Sequence, residues 1–304
     1  MISLYDTIRR INPDQAQSII KYLEMAGIRQ ISDFDFTGVS IFADTVKKSV
    51  SPGSARTIFA SLKSVINKSF APSDRPDLSG LQARPDHVNK TFLTPGELSR
   101  LEAQDDHPPR MHDPNELNER DPERLTERPR TRTTGRTILT PNERFVLNEF
   151  IVGCRTGARI SDLELFTPAN IQNGRLTYTS LKTGITATIP VSDMTVQRVK
   201  WLNECGIRLP LMTYNRIIRR LCERAGINDV VTVHMRGKDM TGPKYEFVSS
   251  HTARVTMCTI LANLGVPALD IMRLAGHTDP AMTARYIVRT APDLNDSAMN
   301  YLNR

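Results

Sequence analysis

Residues 249–288 read SSHTARVTMCTILANLGVPALDIMRLAGHTDPAMTARYIV. Apolar helical runs alternate here with turn signals at Gly265, Pro267, Gly276 and Pro280. The same stretch gathers His251, Arg254, His277, Arg285 and Tyr286. A helix that only fills a core has no use for that set, whereas a site that handles a phosphate and a tyrosine does. His251 and Arg254 stand three apart, so a cap at Ser249 or Ser250 puts both on one face of the first helical turn. Backbone N–H groups at such an end favour an anion, and a guanidinium can grip phosphate oxygens with two parallel bonds. His277 follows Gly276 and opens TDPAMTARY, where its imidazole can bond a phosphate or assist a proton transfer. A free tyrosine titrates at about 10, so Tyr286 becomes a useful nucleophile only among cations.

Two groups far upstream supply what this segment lacks. In NIQNGRLTYTSLKTGITATIPV (170–191) the apolar period changes from helical to alternating. Leu176, Tyr178 and Ser180 alternate with threonines, as do Ile185, Ala187 and Ile189, and Lys182-Thr183-Gly184 joins the two runs. This predicts a β-hairpin with Lys182 at its tip, able to swing into a groove and protonate a leaving oxygen. Before it, Thr140-Pro141-Asn142-Glu143 has the form of a helix start, and Phe145 to Val152 give that helix its apolar side. Gly157 is the predicted stop. Arg159 follows immediately, and Ser161 is the predicted cap of a short helix through Leu165. Taken singly, each residue has an ordinary explanation: Arg159 as an ion pair, Lys182 as a turn residue, His251 as a cap, Tyr286 as a half-buried aromatic. Their joint occurrence is what favours a site. A metal set of His234, His251, His277 and Cys258 lacks the spacing of known metal motifs, and no GxxxxGK[ST] phosphate loop is present.

The remaining chain divides by composition. Residues 1–72 form a predicted helical domain. It has a helix capped by Asn12 or Asp14 and ended by Gly27, a second run through Val39, Ile41, Phe42 and Val46, and a third capped by Ser54. The third helix presents Arg56, Lys63 and Lys68, a face that can lie along a phosphate backbone. Residues 73–92, rich in Pro, Asp and Ser, read as a linker. The catalytic domain then spans 93–304 and opens with Thr94-Pro95-Gly96-Glu97. Residues from about 104 to 137 are densely charged, broken by prolines and poor in apolar groups, so they read as a disordered insertion. Helical runs are expected at Thr195–Leu202 and Thr213–Ala225, the latter carrying Arg216, Arg219 and Arg220 as candidate DNA contacts, and 228–248 reads as a loop. The fold expected is mainly α with a small antiparallel sheet.

The chain has 304 residues and a formal charge of +7. That excess suits a polyanionic partner, because neutralised phosphates release counterions. No apolar run reaches the roughly 18 residues of a membrane span. The N-terminus lacks the apolar core of a signal peptide. The scattered Cys154, Cys205, Cys222 and Cys258 suit a reducing cytosol better than a disulfide framework.

These motifs resemble those of the tyrosine recombinases, the phage-integrase and Xer-type superfamily. TGARISDLELF is similar to the family's first arginine box, with Asp162 near the usual acidic position. SLKTGITATIPV resembles the hairpin that presents the active-site lysine. SSHTARVTM resembles the HxxR box, with Val255 where many relatives have a second arginine. LAGHTDPAMTARYI resembles the box that ends in the nucleophile. The resemblance implies a core-binding domain before a mixed α+β catalytic domain, closing as a clamp on duplex DNA. It implies a catalytic set of Arg159, Lys182, His251, Arg254, His277 and Tyr286, with no metal or nucleotide cofactor. Attack by Tyr286 gives a 3′-phosphotyrosyl link and a free 5′-hydroxyl, and a second DNA end then attacks. The expected protein is a site-specific recombinase of a mobile element or chromosome, tetrameric on two DNA sites, in the cytoplasm of a bacterial or phage-host cell. It is expected to take no membrane or small-molecule partner. Two alternatives keep the fold: a catalytically silent DNA-binding accessory protein, and a type IB topoisomerase-like relaxing enzyme. Tyr214, Tyr245 and Tyr301 are the fallback nucleophiles. The segment from Asp293 to Arg304 is expected to dock on a neighbouring protomer.

Overall fold

The computed structural model describes residues 3–84, 90–105, 139–235 and 237–288. The charged insertion, apart from its first two residues, and the C-terminal segment assigned to docking lie outside these. The chain divides into two compact units, Met1–Asn89 with His234–Met240, and Lys90–Val233 with Thr241–Arg304.

The first unit carries helices α1 (Leu4–Ile11), α2 (Pro13–Met25), α3 (Phe36–Ser49) and α4 (Pro52–Ser69). Side chains start three of them in the usual way: Asn12 accepts from the Gln15 amide, Asp35 from Gly38, and Ser51 from Ser54. Ser51 is therefore the cap of α4, not Ser54. Pro52 has no N–H to lose and takes the first helical position. The short α1, absent from the sequence reading, buries Leu4 and Ile8. Ile19, Leu23, Phe42, Val46, Leu62 and Val65 complete the core, which runs on through Leu78 and Leu81 in the stretch read as linker.

The second unit is built on α6 (Pro141–Thr156), which packs against α8 (Asp193–Cys205), α9 (Leu211–Arg224) and α10 (Ser250–Asn263). Every residue of α6 from Phe145 to Cys154 is buried. Such a helix must be fitted closely rather than merely covered. A Cβ on Gly153 would come within 3.0 Å of the Ala253 Cβ, so α6 and α10 touch at that residue. Gly157 ends α6 at φ 67°, and a Cβ there would stand 2.0 Å from Met257 Cε. The left-handed backbone is what calls for glycine, since Met257 Cε is the end of a flexible side chain that could move aside.

The two Thr-Pro-x-Glu starts behave alike. Thr94 opens α5 (Pro95–Glu102) and Thr140 opens α6, each with a reciprocal Thr–Glu capping box. Each glutamate is then buried against a cation. Glu97 meets Lys244 at 2.6 Å, and Glu143 meets Arg220 at 3.0 Å and Arg224 at 3.1 Å.

Strands β1 (Ile171–Gln172), β2 (Arg175–Thr179) and β3 (Thr186–Pro190) form an antiparallel sheet in the order β1-β2-β3. Leu176 pairs with Ile189 and Tyr178 with Ala187, and these side chains face the core. Thr177 pairs with Thr188 and Thr179 with Thr186 on the outer face, hydroxyl to hydroxyl. The hairpin thus has the predicted period and one further short strand.

Two local expectations need correction. The stretch read as a loop, 228–248, holds strands β4 (Val230–Met235) and β5 (Lys238–Pro243) and a 3-10 turn at Lys244–Phe247. The helix after Arg159 is α7 (Ile160–Leu163), with Arg159 rather than Ser161 in the capping position. The chain ends its described course in α11 (Ala268–Ala275) and α12 (Pro280–Ala284). Among the described residues no helix is long and apolar enough to cross a membrane.

Candidate active site

Arg159 enters the site because α6 stops at Gly157 and α7 starts just beyond. Its Nη1 donates to Ser180 Oγ at 2.9 Å and lies 3.8 Å from Asp162 Oδ2. Asp162 is wholly buried, and its Oδ1 accepts from the Leu181 amide at 3.0 Å. One carboxylate therefore ties the arginine box to the β2–β3 turn. Ser180 and Leu181 lead directly to Lys182, which is exposed at that turn. Bonds from Ser180 N to Ile185 O and from Gly184 N to Ser180 O close the turn around it.

Arg254 is 1% exposed on α10. Its Nη1 donates to the Gly157 carbonyl at 2.6 Å, and its Nε to His277 Nε2 at 3.2 Å. An arginine Nε cannot accept, so His277 Nε2 is the unprotonated nitrogen and Nδ1–H donates to Thr283 Oγ1 at 2.9 Å. Both ring nitrogens of His277 are thus engaged inside the protein. Here His277 orients Arg254, whereas the sequence pointed to a direct phosphate or proton role. Arg254 Nη2 makes no hydrogen bond among the described residues, which leaves one buried cationic donor for a ligand.

Tyr286 lies two residues past α12 and is half-buried. Its ring centroid is 4.7 Å from that of His277 and 5.2 Å from that of His251, and Arg254 Cζ stands 5.3 Å away. The backbone here is pinned to α10: Thr259 Oγ1 donates to the Tyr286 carbonyl at 3.2 Å and accepts from the Val288 amide at 3.1 Å. At the start of α10 two of the amides expected to hold an anion are already used. Ser249 N donates to Thr252 Oγ1 and Ser250 N to Asn215 Oδ1.

Lys90 was not singled out from the sequence, where it falls inside the linker. Its Nζ sits 3.6 Å from the Tyr286 ring centroid. No motif marks it. It arrives because Leu93 N donates to Thr256 Oγ1 of α10 at 2.9 Å.

This crowd of cations sets the histidines. Burial, then Arg254, Arg159, Lys90 and His251, push His277 down to about 3. His251 keeps an exposed edge, yet the protein packed about it and Lys90, Arg254, Arg159 and Lys182 push it down to about 4. Both imidazoles are neutral at pH 7 in the folded chain. A depressed histidine makes the unfolded chain bind more protons below its ordinary value of about 6.5, so stability falls as pH drops through that point. The loss from His277 continues to about 3, and that from His251 to about 4. Urea unfolding at pH 7.5 and pH 5 should show a lower midpoint at pH 5. His277→Asn should reduce that difference and leave the part due to His251, and an unchanged difference in the variant would contradict the assignment.

The other predicted residues sit elsewhere. Arg56, Lys63 and Lys68 lie on α4 in the first unit, with Arg56 and Lys68 exposed. On α9, Arg216 is exposed, Arg219 Nε donates to the Val248 carbonyl at 3.0 Å, and Arg220 pairs with buried Glu143. Of the fallback tyrosines, Tyr214 is 2% exposed in the core, Tyr245 lies in the 3-10 turn, and Tyr301 is outside the described residues.

Residues 146–291 match the family model described as phage integrase family. The chain carries a phage integrase family domain. That domain holds all of Arg159, Lys182, His251, Arg254, His277 and Tyr286, and Lys90 lies before it. Among solved structures, the Tn1549 transposon integrase in complex with transposon right end DNA is 16% identical with a TM-score of 0.63, covering 99% of this chain and 98% of that one. The XerH recombinase bound to a palindromic difH substrate is 12% identical with a TM-score of 0.60, covering 94% and 76%. A lambda integrase tetramer bound to a Holliday junction is 14% identical with a TM-score of 0.59, covering 94% and 77%. No curated protein sequence matches. The chain has the tyrosine recombinase fold, mainly helical with small antiparallel sheets.

Proposed function

We propose that this protein is a site-specific DNA recombinase that cleaves and rejoins duplex DNA through Tyr286. The observation that carries the reading is the setting of the Tyr286 ring. It is packed on His277 and His251 and faced by Arg254, whose Nη2 is unspent. A scissile phosphate in that place would accept from Arg254 Nη2 and from Arg159. Two fixed guanidiniums then stabilise the charge that grows on the equatorial oxygens as the phosphorus becomes five-coordinate. Tyr286 Oη forms a bond to phosphorus while the bond from phosphorus to the 5′-oxygen breaks. The phenol proton passes to a base, for which His251 is the candidate because both ring nitrogens of His277 are engaged inside the protein, and Lys182 gives a proton to the departing 5′-oxygen. A 3′-phosphotyrosine and a free 5′-hydroxyl result. Reversal by the 5′-hydroxyl of a second DNA end rejoins the strand with no outside energy source. The DNA partners of the three structural neighbours and the tetramer of lambda integrase support duplex DNA and a homotetramer here.

A nicked suicide duplex carrying the target site tests the reading. Wild type should accumulate a covalent protein–DNA adduct and Tyr286→Phe none. An adduct that persists in Tyr286→Phe, or wild type that binds and never cleaves, would sink it; the latter is the behaviour of a silent accessory protein.

A further inference from the structure

We propose that Lys90 is a positioning residue for the nucleophile: it packs over the Tyr286 ring and holds the phenol ready for attack. The inference rests on the recombinase reading above and deepens it. A lysine Nζ at 3.6 Å from the ring centroid is well inside the roughly 6 Å over which such a pair attracts. His277, at 4.7 Å and 31° to the ring, and Arg254 also pack against that ring. Flexing of Tyr286 is therefore opposed by contacts that fall on its ring.

Lys90 is placed there by a built strap, not by chance exposure. Leu93 is fully buried, and its amide is bonded to Thr256 on α10. Phe92 lies under Lys244 Nζ at 5.2 Å, and Lys244 is itself held by Glu97. The three residues from Lys90 to Phe92 thus have one end fixed on the helix that carries His251 and Arg254. Burial lowers the Lys90 ammonium from its ordinary value, as do Arg254 and Arg285, while Cys258 acts the other way. Among the described residues no carboxylate is bonded to Lys90, and the Tyr286 ring is the group its ammonium faces. Lys90 acts here on the ring and not as an acid. The proton that reaches the 5′-oxygen comes from Lys182, at the opposite end of the breaking bond.

Two measurements on the full-length protein test this. In the first, lysines are reductively methylated with carbon-13 and observed by NMR. The Lys90 methyl signals, assigned by their loss in Lys90→Arg, should be shifted upfield by the ring in wild type and in Tyr286→Phe, and return to the common lysine position in Tyr286→Leu. No upfield signal in wild type would overturn the contact. In the second, single-turnover adduct formation on the suicide duplex should slow by about 10-fold in Lys90→Met and recover to within about threefold in Lys90→Arg. A substrate with sulfur in place of the bridging 5′-oxygen needs no proton on its leaving group, because a thiol is far more acidic than an alcohol. It should rescue Lys182→Ala and leave Lys90→Met slow. Wild-type rates in Lys90→Met, equal rates in the Met and Arg variants, or sulfur rescue of Lys90→Met would each overturn the proposal while the recombinase reading stood. Absence of any wild-type adduct would instead remove the recombinase reading, leaving the NMR result to report the contact alone.

Discussion

Arg254→Lys should lower single-turnover cleavage by about 1,000-fold while DNA retention on the same duplex stays within about threefold. The wild-type guanidinium does three things with one planar fork. It caps the Gly157 carbonyl, it fixes His277, and it leaves Nη2 for a ligand. A lysine can hold one of those acceptors and has no rigid fork to aim a second donor. The Gly157 bond matters beyond Arg254, since Arg159 stands two residues past that turn. Losing it loosens both guanidiniums at once, which is why the loss should exceed that of a single donor. The check is a gel-quantified adduct time course beside a filter-binding curve. A loss of less than about tenfold in rate, or a parallel collapse of binding, would contradict this role for Arg254.

Glu143→Ala should destabilise the protein by about 3 kcal/mol, read from urea unfolding, whereas Glu102→Ala should cost under about 1 kcal/mol. Glu143 is 1% exposed and faces Arg220 and Arg224. Removing it leaves the buried Arg224 guanidinium without its counter-charge and strips the α6 capping box in the same step. Glu102 pairs with Arg155 at 3.0 Å at the surface, where water and salt screen the pair. Equal losses in the two variants would contradict the distinction.

What the sequence made legible follows from range. Thr94 and Thr140 announce their helices because a capping box is closed within four residues. The β2–β3 hairpin is legible because its alternation maps one face onto the core. The second hairpin escaped because its signal is one-sided: Val231, Val233 and Met235 alternate along β4 but only Val233 is buried, and β5 (KDMTGP) has no buried residue and no apolar run to pair with it. The six candidate side chains could be named from four local motifs. Their convergence could not, because Arg159 meets the hairpin only through Ser180 and Asp162, and Arg254 meets α6 only through Gly157. Lys90 was illegible for the same reason in stronger form. Its neighbours, Leu93 and Thr256, stand 163 residues apart. His277 was named for its chemistry, yet its partners Arg254 and Thr283 turn it into a brace.

The central claim is that the Tyr286 hydroxyl becomes bonded to DNA. Trapping the adduct on a suicide duplex, digesting both polymers and sequencing the remaining peptide–nucleotide by mass spectrometry tests it most directly. The account predicts a peptide spanning Thr283 to Arg289 whose Tyr286 carries the 3′-phosphate of the cleaved strand. A link through Tyr245, Tyr301 or a serine, or a 5′-phosphate in the adduct, would contradict it.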